Sequence, residues 1–87
     1  GYIRTVKLVS YTKAAARALN RMPPKTALQI RDKVNEYAAD PASQANNVKA
    51  LAGTPWIRLR VGDWRVIMED GTVLEVLRIG PRGSVYD

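Results

Sequence analysis

The sequence contains neither cysteine nor histidine. Without cysteine there is no disulfide framework and no thiolate metal site. Without histidine the usual general base and the commonest metal ligand are gone, and with them every Ser-His or Cys-His nucleophile pair. No apolar run approaches the length of a membrane span, and no signal-peptide apolar stretch stands near the start. The expectation is a protein with no membrane partner. The initial Gly1 reads as a processed or engineered start. Acidic residues are also scarce, 8 against 14 basic ones, giving a pI of about 10.1. The few carboxylates are scattered over turns and helix faces, so no acidic dyad forms. Phosphate loops, metal-ligand clusters and nucleotide fingerprints are likewise missing. Neither a metal nor a cofactor is implied, and a polyanion is the favoured partner, nucleic acid ahead of an acidic protein.

The charges present are unevenly placed. Through Gly53 there are nine basic and three acidic residues; from Thr54 onward there are five of each. All five cations of the second part are arginines: Arg58, Arg60, Arg65, Arg78 and Arg82. The segment from Trp56 to Glu69 alternates like two strands joined at Gly62-Asp63. If Val61 pairs with Trp64, Arg60 lies opposite Arg65, and Arg58 falls two residues along the same face. Like charges opposed on a sheet are unfavourable. Three guanidiniums on one face therefore point to an anionic partner, and the planar donor fork of arginine suits phosphate. Taken singly, each arginine reads as an ordinary solvated charge.

The rest of the chain supplies a scaffold for that face. Residues 2–8 alternate as a first strand with Ile3 or Val6 inward. Ser10 or Thr12 caps a helix reaching about Met22, whose Ala15, Ala18, Leu19 and Met22 form one stripe. Pro23-Pro24 ends that helix and opens a second, with Ala27, Ile30, Val34, Tyr37 and Ala38 on one side. Lys25, Arg31, Asp32, Lys33 and Glu36 read as its solvated face. A turn-rich connector occupies 41–55, and three strands follow at about 56–61, 64–69 and 72–79. The expected apolar face of this meander comprises Ile57, Leu59, Val61, Trp64, Val66, Met68, Val73, Leu77 and Ile79, with Glu75 as a misfit. The other carries Trp56, Arg58, Arg60, Arg65, Ile67, Glu69, Leu74, Val76 and Arg78. The predicted fold is α+β: an N-terminal strand, then an α-helical hairpin packed on one face of a twisted antiparallel β-sheet, in the order β-α-α-β-β-β. No linker or internal repeat interrupts it, so residues 1–87 form a single domain. Exposed Ile67, Leu74 and Val76 beside arginines would invite an acidic amphipathic segment.

Arginines and tyrosine without a metal suit one reaction, cleavage of RNA by its own 2′-hydroxyl. Guanidiniums would hold the scissile phosphate and stabilise its growing charge, while an aromatic ring stacks on a splayed base.

The residues Asp40-Pro41, Val48-Lys-Ala-Leu-Ala-Gly53, Arg58-Leu-Arg-Val-Gly-Asp-Trp-Arg65-Val-Ile and Val76-Leu-Arg-Ile-Gly-Pro-Arg-Gly-Ser-Val-Tyr86 carry a resemblance. In these segments the chain resembles the RelE/ParE superfamily of bacterial type II toxins, on its RelE-like branch, over essentially its whole length. The resemblance implies a bacterial, cytoplasmic toxin held in check by a partner antitoxin. It implies a ribosome-dependent mRNA endoribonuclease (an mRNA interferase) that cuts in the ribosomal A site, inhibits translation under stress and contacts ribosomal RNA. Operator DNA would be met only through the antitoxin complex. Carried over by position, Arg58 and Arg65 bind and stabilise the scissile phosphate, Arg82 acts on the leaving group or phosphate, and Tyr86 stacks on a base or moves a proton. Arg60, Arg78, Trp56 and Lys49 bind RNA. The family often has lysine where Trp56 stands and histidine or lysine where Pro81 stands, departures that bear on rate and proton transfer. Two alternatives share the scaffold: a ParE-like inhibitor of DNA gyrase, and a catalytically weak module for antitoxin binding and autoregulation.

Overall fold

Thr12 and the Pro23-Pro24 pair divide the first half of the chain. A computed structural model describes residues 6–83. A short strand β1, Val9–Tyr11, leads into helix α1, Lys13–Arg21. The Thr12 hydroxyl accepts from the Ala15 backbone N–H at 3.1 Å and donates to the Leu77 carbonyl at 2.7 Å. One residue thus caps the helix and fixes it to the sheet. Helix α2, Pro24–Ala39, begins on proline, where a missing N–H costs nothing. It ends at Asp40, ahead of Pro41, since the residue before a proline avoids helical backbone. A 3₁₀ segment, Pro41–Asn47, then leads to strands β2 (Val48–Ala50), β3 (Trp56–Val61), β4 (Trp64–Asp70) and β5 (Leu74–Pro81).

The five strands form one sheet in the order β1-β5-β4-β3-β2. β1 runs parallel to β5 and every other pair is antiparallel, so the sheet is mixed. Both helices lie on one face. Ala15, Leu19, Met22, Ile30, Val34, Tyr37 and Ala38 from the helices meet Leu59, Val66, Met68, Leu74, Val76 and Ile79 from the sheet. Ile57, Val61 and Trp64 pack partly buried against this core. Among the described residues no helix is long and apolar enough to cross a membrane.

Three sequence expectations require correction. Residues 6–8 of the expected first strand are not strand; the described pairing is Val9–Tyr11, with Val9 opposite Leu74, and residues 1–5, Ile3 among them, lie outside the described ones. Val6 and Leu8 are 54% and 77% exposed, so Val6 does not face inward. Alternation marks a strand, but the backbone partner offered by β5 decides where it starts. Second, the supposed connector contains β2, which pairs Val48 with Leu59 and Lys49 with Arg58. A three-residue edge strand is too short to show a period. Third, β5 carries a bulge. Ile67 pairs with Arg78 but Met68 pairs with Val76, leaving Leu77 as the extra residue. The bulge sends Leu74 and Val76, both with no exposed surface, into the core, while Val73 is 42% exposed. It also moves Glu75 off the apolar face to a place opposite Glu69, which avoids burying a carboxylate in the core.

A polar knot fastens the far end of the sheet. Lys7 pairs with Asp70, and the Tyr37 hydroxyl donates to the other Asp70 carboxylate oxygen at 2.9 Å. Burial and the Asp70 bond push the Tyr37 hydroxyl up to about 12. Burial alone would raise Asp70, but bonds from Lys7 and Tyr37 and the Lys7 charge outweigh it and hold the carboxyl below its usual range. A raised tyrosine contributes stability that is intact below its ordinary value of 10.0 and lost as pH climbs through about 12. The depressed Asp70 contributes stability above its ordinary 3.8, lost as pH falls through its lower folded value. Urea unfolding of the wild type and Tyr37→Phe should therefore differ at neutral pH and converge between pH 10 and 12. A difference that stays constant over that span would show that folding does not raise the Tyr37 hydroxyl.

Candidate nucleic-acid interface

The face of the sheet opposite the helices is built from side chains that alternate with the core. Leu59 is fully buried on the helical side, so its neighbours Arg58 and Arg60 point the other way. The turn at Gly62-Asp63 fixes the register. Gly62 has φ 58, which glycine adopts without strain, and Val61 pairs with Trp64. Arg60 therefore stands directly opposite Arg65, as the alternation predicts. One row across the sheet reads Lys49, Arg58, Ile67, Arg78 from β2 to β5. The next reads Arg60, Arg65, Gly80, and the row on the other side begins Trp56, Glu69, Glu75. Positive charge thus gathers toward the β3–β4 turn, and negative charge lies at the opposite end.

Arg65 is the anchor of this surface. Only 8% of it is exposed, and its Nη1 donates to the Gly62 and Trp64 carbonyls, each at 3.2 Å. Burial and these carbonyls orient the guanidinium. The Arg82 N–H donates to the Asp63 carbonyl at 2.8 Å, which brings the start of the C-terminal segment over the same turn. Arg60, Arg65 and Arg82 consequently line one cleft of about 490 Å³, with Val61, Gly62, Asp63, Lys33 and Asn47. A smaller hollow of about 230 Å³ adjoins it, lined by Asn46, Asn47, Val48, Lys49, Arg58 and Arg60.

Beyond Arg58 lies a third hollow of about 290 Å³, walled by Trp56, Ile67 and Leu77 with Arg78, Thr12 and Ala14. The Trp56 indole N–H donates to Glu69 at 3.2 Å, which ties the ring to that carboxylate on the wall of this hollow. Ile67 has no exposed surface although it sits between Arg58 and Arg78. With Leu74 and Val76 in the core, the exposed aliphatic strip expected beside the arginines does not exist. The sheet thus gathers Arg58, Arg60, Arg65, Arg78, Arg82, Lys49 and Trp56 on one continuous surface. Tyr86 lies outside the described residues.

Two residues in the main cleft escaped sequence reasoning. Lys33 reads as solvated helix surface and Asn47 as loop. Helical periodicity gives a residue's angle around its axis, but not that the middle of α2 runs beside the β3–β4 turn. The paired Asn46-Asn47 ahead of Val48-Lys49 was the available hint. Arg31, exposed as expected of the solvated face, also lies 5.1 Å from the centre of the Tyr11 ring, a cation–π contact. Burial pushes the Tyr11 hydroxyl up, and the Arg31 charge opposes part of that rise.

The sequence model for the ParE toxin of type II toxin–antitoxin systems, parDE, matches residues 9–86. The chain belongs to this toxin family. Solved structures agree with the fold. The toxin is similar to the archaeal RelE–RelB complex of Pyrococcus horikoshii OT3, with 25% identity, a TM-score of 0.77, and 93% of this chain aligned to 100% of that one. The RelBE2 toxin–antitoxin complex of Mycobacterium tuberculosis gives 20% identity and a TM-score of 0.75, over 90% of this chain and 100% of that chain. The isolated RelE toxin of E. coli gives 22% and 0.67, over 92% and 90% of the two chains. At these lower identities the likeness concerns the fold, which is RelE-like. No curated protein sequence matches the chain.

Proposed function

We propose that the toxin is a metal-independent endoribonuclease that cuts mRNA in the ribosomal A site and so stops translation. The observation that carries this reading is Arg65, buried, oriented by two backbone carbonyls, and sharing a cleft with Arg60 and Arg82. A pre-oriented, nearly buried guanidinium stabilises charge developing on a phosphate without reorganising during the reaction. In the step itself the RNA 2′-oxygen attacks the adjacent phosphorus and loses its proton to an acceptor. The P–O5′ bond breaks, leaving a cyclic phosphate and a 5′-hydroxyl that takes up a proton. Arg58 and Arg65 hold the phosphoryl oxygens and Arg82 meets the leaving side. Tyr86 takes the stacking or proton-transfer role, and Trp56, Arg60, Arg78 and Lys49 hold the flanking RNA.

A cognate antitoxin is the proposed protein partner, in keeping with the RelE–RelB complexes among the solved relatives. Its inhibitory segment is acidic, covers the arginine face, and binds more weakly as salt rises. Operator DNA is reached through that complex. A second reading has its own support, because the matching family model is named for ParE: a gyrase inhibitor that performs no hydrolysis. Expression of the chain followed by primer extension on a translated reporter separates the two. Cuts within codons that vanish when translation is blocked support the nuclease. Growth arrest without cuts, together with loss of gyrase supercoiling by the pure protein, supports the other reading.

A further inference from the structure

The main cleft is not confined to the sheet. Lys33, in the middle of α2, lines it together with Arg60, Arg65 and Arg82, although the helices cover the opposite face. Asn47, at the end of the 3₁₀ segment, lines both this cleft and the hollow holding Lys49 and Arg58; Arg60 is the other residue common to the two. The two depressions are therefore one groove. It starts at the β2 edge, crosses the hairpin turn and ends against the helical layer. Four cations line its wider part against one carboxylate residue, Asp63. The Lys33 ammonium lies 3.1 Å from Glu36, both side chains roughly half exposed. Such an exposed pair holds its lysine only weakly, so an incoming phosphate can displace the carboxylate.

We infer that Lys33 and Asn47 complete a second phosphate-binding subsite at the turn end of the sheet, which takes the backbone phosphate neighbouring the one held by Arg58 and Arg65 on single-stranded RNA. This rests on the RNA reading above and extends it. An ammonium on a flexible stem suits a phosphate whose position varies, whereas the forked, buried Arg65 suits the phosphate whose geometry must be fixed. The Asn47 amide adds an uncharged donor between the two subsites. Each neutralised phosphate on single-stranded RNA contributes about 0.7 to the slope of log affinity against log salt.

The test is binding of a short 2′-O-methyl RNA, which cannot be cleaved, to the full chain by fluorescence anisotropy over a salt series. Lys33→Ala should weaken binding several-fold at low salt and flatten the slope by about 0.7. Glu36→Gln, which frees the ammonium, should tighten binding. Lys25→Ala, on the same helix but lining neither depression, should change nothing. Unchanged slope and affinity in Lys33→Ala, with binding still lost in Arg58→Ala, would overturn the second subsite and leave the nuclease reading standing. RNA binding with the expected Lys33 dependence but no cleavage on ribosomes would do the reverse. Equal losses in Lys33→Ala and Lys25→Ala would reduce the effect to net charge and also overturn the proposal. So would a Lys33→Ala effect confined to binding of an acidic peptide.

Discussion

Arg65→Ala should cut mRNA about 100- to 1000-fold more slowly than the wild type, the loss typical of removing one pre-oriented donor to a developing charge. The expectation comes from position as much as from charge. Arg65 is nearly enclosed, is tied to the Gly62 and Trp64 carbonyls, and opens onto the cleft that Arg60 and Arg82 share. Those same bonds brace the turn, so truncation also costs about 1–3 kcal/mol of stability. A thermal melt must accompany the rate to separate the two effects. Arg65→Lys supplies the further control, because it keeps the charge but not the fork. Partial recovery of rate in the lysine variant, at a melting temperature equal to that of alanine, assigns the residue to the phosphate. Cleavage within threefold of wild type in a folded Arg65→Ala protein would remove Arg65 from the reaction.

Leu59→Ala should be the most damaging of the core substitutions on the sheet. Leu59 has no exposed surface and packs beneath the helical hairpin. Removing its branched end should cost about 2–5 kcal/mol. Domains of this kind hold only about 5–15 kcal/mol in all. The midpoint of urea unfolding should fall sharply while the slope of the transition stays unchanged. Because Arg58 and Arg60 flank Leu59 on the strand, loosening it also loosens the arginine face, so cleavage per folded molecule should drop as well. A cost below about 1 kcal/mol would mean that the helices do not rely on β3 for their seat.

Much of this was legible in the sequence, for identifiable reasons. A two-residue turn at Gly62-Asp63 permits only one close pairing, so Arg60 opposite Arg65 follows from counting. Thr12 and Pro24 bound the helices through local chemistry that tertiary packing does not override. The bulge at Leu77 was not legible. An extra residue leaves period-two alternation intact on both sides, and only Glu75, stranded on the apolar face, betrayed the shift. The candidate site was readable wherever it lay on strands with a fixed register, namely Arg58, Arg60 and Arg65. It was unreadable where separate elements converge, since the approach of Lys33 and Asn47 to the hairpin turn depends on how α2 crosses the sheet.

The most direct measurement uses ribosomes programmed with an mRNA whose A-site codon carries a single 2′-deoxy sugar at the cut position, compared with the all-ribose message. In the proposed reaction the arginine face would supply phosphate binding and charge stabilisation, and the RNA its own nucleophile. The all-ribose message should therefore be cut to a cyclic phosphate and a 5′-hydroxyl, and the deoxy message should remain whole. Cleavage of the deoxy message would contradict 2′-hydroxyl attack. Failure to cut either one, by a protein that still arrests growth, would contradict the nuclease itself.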